Sequence, residues 1–373
     1  MKLKHLKIFN LRNHSHSEID FSDGINLIYG PNGSGKTTIL EAISICSMSK
    51  SFLPTIDQNL IKYEQKGYEV GLRAINDLGA EYNVDIKFSA SKKKISNNDS
   101  ENLSPKNLIG NIPIVVLSPD YKSITFGSPG DRRDFIDKVI SQISKSYLSK
   151  LIQLKKVLKQ RNSLLSIFKK NERYDDALME PWTEKLIELN ADIVMKRHEF
   201  INELMPMFKE TFKEIAPNEE VELIYDAYKI EEGIREDKVK IMEELHKYYE
   251  YRKEVEYHRA STIFGPQKDD LIIKINSGIA KDYASQGQHK SLLISLKIAE
   301  FNYLKSYCNE TPIVLLDDIF AELDESRSKH VIDIIEKNGV QSFITSTNSE
   351  LLNKLNVEKK LFNIEDVRDN SNI

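Results

Sequence analysis

Cysteine is nearly absent from this chain: 373 residues hold 2, Cys46 and Cys308, far apart and outside any metal-ligand spacing. That excludes a disulfide-stapled scaffold and a zinc or iron–sulfur cluster as organising features. Cys46 is expected to be a small buried hydrophobe. No apolar run approaches the roughly 20 residues that a membrane-spanning helix needs. The opening MKLKHLKIFN alternates like a strand and lacks the apolar core and cleavage site of a secretory signal. No repeat of fixed period occurs. Neither sign of charge dominates, since 53 Lys+Arg against 57 Asp+Glu leave −4, so the whole chain is no polycation. A reduced, cytoplasmic protein with no membrane association is the expectation.

What is present is unevenly placed. Residues 138–173 carry ten Lys/Arg against one acid, Glu172, a balance of +9. Residues 174–258 carry twelve basic against twenty-three acidic residues, a balance of −11. A basic block of that length suggests a surface facing a polyanion; the alternative is a basic helix laid against an acidic one inside the protein. With 40% apolar residues the chain can build one large domain or two ordinary ones.

Periodicity divides the chain into three stretches. Alternation predicts strands at 3–9, 16–21, 25–29, 68–75 and 82–88, a helix at 36–48, a polar loop or hairpin tip at 92–105 and a short buried strand at 114–117. The middle reads as an arm of antiparallel helices. Leu151, Leu154, Leu158, Leu165 and Phe168 make one apolar seam, interrupted by Arg161. Trp182, Leu186, Leu189, Ile193, Phe200 and Leu204 make a second, ended by Pro206 and Pro217. A short strand at 221–225 and a charged helix at 234–257 follow. The last stretch alternates again: strands at 271–275, 313–317 and 341–345, helices at 288–306 and 325–337, and a frayed polar tail after Asp366. The fold class is α/β, a mixed β sheet with helices, with an inserted helical arm: 1–135 and 261–373 form a head, 136–260 the arm.

Three motifs carry chemistry. Residues 30–38 read GPNGSGKTT, between the strand INLIY and the helix TTILEAISI. Gly30, Pro31, Asn32, Gly33, Ser34 and Gly35 form a loop whose N–H groups cradle phosphates, and the following helix start, through Thr38, adds partial positive charge. Lys36 reaches the outer phosphates and Thr37 ligates Mg²⁺, so ATP with Mg²⁺ is the expected cofactor. Residues 313–318, IVLLDD, read as a strand buried on both faces with acids at its carboxyl end. Asp317 would bind Mg²⁺ directly or through water; Asp318 would polarise the attacking water. Asp324 is either a helix N-cap or an inter-subunit contact. Third, Ser285, Gln286, Gly287 and Gln288 form a second turn before a helix, the pattern of a further phosphate-binding helix start.

The order of these motifs, with a helical insertion between them, resembles ABC-type ATPases with an arm. In that superfamily a Ser-x-Gly-Gln turn touches the γ-phosphate of ATP bound to the other subunit. Residues 119–137, PDYKSITFGSPGDRRDFID, resemble the signature of the RecF family of recombinational repair ATPases. The stretches LRNHSHSEIDFSDGINLIYGPNGSGKTTILEAI and GPQKDDLIIKINSGIAKDYASQGQ resemble it too, so the likeness covers nearly the whole chain. It implies an ATP-dependent homodimer that binds double-stranded DNA at gaps and single-strand–duplex junctions during the response to DNA damage. It further implies recombinase loading with RecR- and RecO-type partners, and a weak, DNA-stimulated ATPase whose hydrolysis dissociates the dimer. Residues 138–173 are then the first candidate for the DNA face, with Arg132 and Arg133 nearby. Departures are Gln267-Lys268 where the family has His-Arg, no basic residue near Leu53, and no glutamine after 114–117. Ser346-Thr347-Asn348 stands where transporter ATPases carry a switch histidine, leaving Thr347 or Asn348 for the γ-phosphate.

Other P-loop classes predict otherwise. A transporter ATPase subunit would share all three motifs but not so long an arm. A small-molecule kinase would need no signature turn, and a chromosome-organising SMC-like protein would need a longer arm.

Overall fold

A computed structural model describes residues 1–347 and 359–367. They fall into two compact units. One comprises Met1–Lys122, Glu214–Ala216 and Gln286–Ile373; the other comprises Ser123–Lys213 and Pro217–Ser285. The second unit therefore begins and ends outside 136–260, taking in residues that the sequence reading gave to the head.

The first unit contains two sheets. Strands β1 (Lys2–Leu11), β2 (His14–Asp20), β4 (Gly67–Ile75), β5 (Glu81–Ser89) and β6 (Lys92–Asn97) form an antiparallel sheet in the order β2-β1-β4-β5-β6. The expected hairpin tip at 92–105 is thus partly a strand. Three successive lysines conceal its alternation, and only Ile95 is buried. A charged, short edge strand of this kind resists pairing with another chain. The second sheet is parallel throughout: β3 (Ile25–Tyr29), β7 (Ile114–Leu117), β11 (Ile313–Leu316), β12 (Ser342–Ser346) and β13 (Lys359–Asn363), in the order β13-β3-β12-β11-β7. Helix α1 (Lys36–Met48) packs against β1, β4, β5 and β12. Nearly all its side chains are buried, Cys46 among them, so it shows no one-sided apolar stripe. A one-turn helix α2 (Pro105–Leu108) also packs on α1.

The second unit holds helices α3 (Ser123–Phe126), α4 (Pro129–Ile143), α5 (Lys145–Lys170), α6 (Asp176–Ile215), α7 (Lys238–Arg259) and α8 (Ala280–Tyr283). A small antiparallel sheet, β10 (Gly278–Ile279), β9 (Asp270–Ile275) and β8 (Val221–Asp226), completes it. The G-S-P-x-x-R-R stretch starts α4. Ser128 caps it, Pro129 occupies the first turn, and Asp131 closes a capping box. Pro206 does not end α6, which runs on to Ile215. A proline inside a helix costs about 3 kcal/mol. Phe208 and Phe212, buried within the next two turns, each return roughly 1.5–3 kcal/mol by leaving water. Arg161, the interruption in the α5 seam, is wholly buried. It pairs with Glu256 at 2.6 Å, donates to Thr262 Oγ1 at 2.8 Å, and lies 5.2 Å and 5.6 Å from the ring centres of Tyr249 and Phe264.

Helix α9 (Gln286–Tyr307) and helix α10 (Glu325–Lys337) belong to the first unit.

Candidate nucleotide site

The parallel sheet brings three loops to one edge. Strands β3, β12 and β11 are neighbours running in one direction, so the segments leaving their carboxyl ends converge, as ligand sites in such sheets do. After β3 comes the phosphate loop. Gly33 and Gly35 sit at φ 74° and 105°, left-handed backbone that glycine adopts without penalty. Gly35 is doubly required: a Cβ there would stand 2.5 Å from His14 Nε2 and 2.6 Å from Asn13 Oδ1. Those two side chains, from the β1–β2 hairpin, brace the loop from below. Asn13 Nδ2 donates to Gly33 O at 3.0 Å, and His14 Nε2 lies 3.0 Å from Gly35 O. Sequence reasoning missed both; their signal was a polar Asn-His pair at a tight hairpin ahead of a phosphate loop.

Lys36 is buried, and its ammonium donates to Gly30 O and Pro31 O, both at 2.8 Å. Burial pulls its pKa below the ordinary lysine value, against the opposing pull of Asp318 and then Asp317. The ammonium is folded back on the loop it closes.

Thr37 Oγ1 donates to Asp317 Oδ1 at 2.9 Å, and Thr345 Oγ1 donates to the same oxygen at 2.7 Å. Asp317 is 7% exposed; burial raises its pKa, the two hydroxyls hold it down, and Asp318 and Glu41 push it up further. The backbone N–H of Asp318 donates to Thr345 Oγ1 at 2.8 Å, with Asp318 in left-handed conformation at φ 48°. A non-glycine residue held there needs surrounding bonds to hold it. Thr345, at the end of β12, is therefore the hinge of the acidic pair, and the sequence offered only its position in a strand.

The donor set suits Mg²⁺. Thr37 and Asp317 supply hard oxygens, and among the described residues no group of three or more His, Cys, Asp or Glu gathers to hold a metal. A cation bound there must complete its shell with phosphate oxygens and water, which is the habit of Mg²⁺.

The remaining predicted residues stand as follows. Pro31, Asn32 and Gly33 are exposed at the loop tip, while Ser34 donates to Pro31 O at 2.7 Å. Ser285 and Gln286 are exposed at the start of α9, with Gly287 and Gln288 half-buried behind them. Asp324 caps α10, accepting from Arg327 N at 2.9 Å. Thr347 is exposed beyond β12, and Asn348 lies outside the described residues. Gln267 donates to Phe264 O within a turn, and Lys268 is exposed. Leu53 packs on the core of the first unit.

In the second unit the basic block divides. Arg161 is spent on Glu256, and Lys150 pairs with Asp192 at 3.0 Å. Lys169 donates to His258 O at 2.8 Å. Arg132 is structural, forked onto Asp270 at 2.7 Å and 2.8 Å, and Arg133 donates to Asp269 O at 2.5 Å. Lys145, Lys155, Lys156, Lys159 and Lys170 are exposed on α5.

A P-loop fold with these parts is matched by a protein-family profile described as an AAA domain over residues 5–370. Solved Smc heads share the fold: one bound to the C-winged helix domain of ScpA aligns with TM-score 0.54 at 15% identity over 95% of this chain and 91% of that one. The class is therefore an ABC-type P-loop ATPase head carrying a helical arm. The chain belongs to the RecF family of DNA replication and repair proteins. It is 39% identical to the DNA replication and repair protein RecF of Prosthecochloris aestuarii, covering 93% of this chain and 94% of that one. It is 33% identical to RecF of a Geobacillus species, covering 94% and 93%. A solved structure of the recombination mediator protein RecF with ATP, in the RecFOR pathway, aligns with TM-score 0.90 at 31% identity over 97% of this chain and 96% of that one. Among the described residues no helix is long and apolar enough to cross a membrane.

Proposed function

We propose that this chain is an ATP-dependent DNA-binding ATPase of recombinational repair and replication. Two copies associate around ATP, bind double-stranded DNA at gaps and single-strand–duplex junctions, and promote recombinase loading with RecR- and RecO-type partners. One observation carries the nucleotide part: hydrogen bonds join Thr37, Asp317, Asp318 and Thr345 at one sheet edge, and Lys36 closes the loop that leads into Thr37. Thr37 and Asp317 would hold Mg²⁺, which neutralises charge on the outer phosphates. Gly30–Thr38 binds the triphosphate, and Lys36 leaves its carbonyl partners for phosphate oxygens. Asp318 orients or deprotonates the attacking water. Ser285, Gln286, Gly287 and Gln288 act on the nucleotide of the second copy, a role that the exposure of Ser285 and Gln286 supports. Nucleotide shared between two chains favours the dimer by mass action, and slow, DNA-stimulated hydrolysis releases it.

The DNA face is the outer side of α5. Its buried seam, Tyr147 to Phe168, faces one way. At about 100° per residue, Lys145, Lys156, Lys159 and Lys170 all fall within ~50° of the opposite direction. No acid occurs in its 26 residues, whereas α6 and α7 carry same-helix pairs such as Lys196–Glu199 and Lys247–Glu244. Along the axis the charges fall in three groups about 19 Å apart, near the half-turn of a duplex, roughly 17 Å.

The test is duplex binding followed by fluorescence anisotropy with ATP or ADP. Wild type retains DNA with ATP and not with ADP, and Lys36→Ala loses retention with both. Equal retention with ATP and ADP, or an unaffected Lys36→Ala, contradicts the reading.

A further inference from the structure

Around the start of α9, one side chain does something that the nucleotide site does not require. Arg327, on α10, reaches across to the signature helix. Its Nε and Nη2 donate to Ser291 Oγ at 3.1 Å and 2.9 Å, and Nη2 also reaches Gly287 O at 3.4 Å. Its Nη1 pairs with Asp324, whose carboxylate also caps α10. A second strap runs parallel: Lys290 of α9 donates to Glu322 O. The segment reached, Glu322–Asp324, follows directly on the acidic strand and the Ile319–Ala321 turn. Within one chain, the signature turn is thus tied to the segment leaving the acidic pair.

The electrostatics make this placement informative. The first turn of a helix carries partial positive charge, so a guanidinium beside it is unfavourable unless something else anchors it. Asp324 supplies the anchor. The arrangement becomes favourable throughout once an anion arrives at the turn, because the helix start and the guanidinium then both face negative charge.

We infer that Arg327 is a positioning residue that sets the signature turn for the partner copy's γ-phosphate and couples it to the acidic strand of its own chain. The inference rests on the dimer reading above. A chain that has begun hydrolysis disturbs Asp318 and the segment after it; through Asp324, Arg327 and Ser291 the disturbance reaches the turn holding the other nucleotide. The two sites of the dimer then respond to each other.

Sedimentation equilibrium with ATP or ADP, on wild type, Arg327→Ala, Ser291→Ala, the double variant and Ser285→Arg, tests this. Loss of a charged hydrogen-bonding partner predicts association with ATP about tenfold or more weaker in Arg327→Ala. Ser291→Ala, which removes the acceptor without disturbing α10, weakens it less, and the double variant is no worse than Arg327→Ala alone. ATP affinity of the monomer and association with ADP stay at wild-type values in all three, which a merely structural role would not produce. Should Arg327→Ala prove unstable, Ser291→Ala and Arg327→Lys carry the same test. Normal ATP-driven association in these variants, or strictly additive losses in the double variant, overturns the role of Arg327 while Ser285→Arg still blocks the dimer. A wild type that ignores ATP brings down the dimer reading itself and this inference with it.

Discussion

At the scale of single residues, Lys36 and Asp317 are the two buried charges of the site, and each is off its ordinary pKa for the same reason, burial. For Asp317 the shift is upward, so the folded chain holds the proton more tightly than the unfolded one and the charged form is the costly one. Mg²⁺ requires that form. Mg²⁺-dependent ATP binding should therefore weaken on acidification at a pH above the ordinary aspartate range; calorimetric titration across pH checks this, and a pH-independent Mg²⁺ affinity contradicts it. Thr345→Val removes a hydroxyl from both Asp317 and the Asp318 N–H. Loss of such a supporting bond predicts a 10–100-fold loss of Mg²⁺ affinity or activity, roughly, read by metal titration of ATP hydrolysis. Asp318→Asn should leave ATP binding intact, slow phosphate release and lengthen the life of the ATP dimer; hydrolysis at the wild-type rate would remove Asp318 from the chemistry. The phosphate loop and the acids were legible because their chemistry demands fixed spacing. Thr345 was not, since it reaches the acids only by β12 lying beside β11 in the parallel sheet.

Among elements, α1, α10 and four strands of the parallel sheet, β3, β7, β11 and β12, were legible to within a residue or two, since continuous apolar runs and caps are local signals; the edge strand β13 was missed. What escaped depends on distant partners. β6 exists because Lys93 finds Asp57 at 2.6 Å and Ser49 O at 2.7 Å while Ile95 enters the core. α6 passes Pro206 because of what it buries beyond. Arg161 stands in an apolar seam because Glu256 arrives from a helix nearly a hundred residues later. Breaking that pair by Glu256→Ala leaves a buried guanidinium and should cost about 3–5 kcal/mol, measured by chemical unfolding. The outer face of α5 behaves oppositely. Changing Lys145, Lys156, Lys159 and Lys170 together to Gln should leave unfolding unchanged. If each meets a phosphate, the log–log salt slope of duplex binding drops by roughly 3–4. An unchanged slope moves the DNA face elsewhere.

At the scale of the whole molecule, a phosphate loop and a Ser-x-Gly-Gln turn reside in one chain. The charge balance of −4 conceals a +9 block and a −11 block, a division that composition alone hides. The measurement closest to the central claim is the association state in solution, by sedimentation with ATP and a short duplex, of wild type against Ser285→Arg. Wild type should sediment as a dimer with ATP and as a monomer without it, while Ser285→Arg binds ATP normally and stays monomeric. A Ser285→Arg variant that dimerises as readily as wild type would contradict the account.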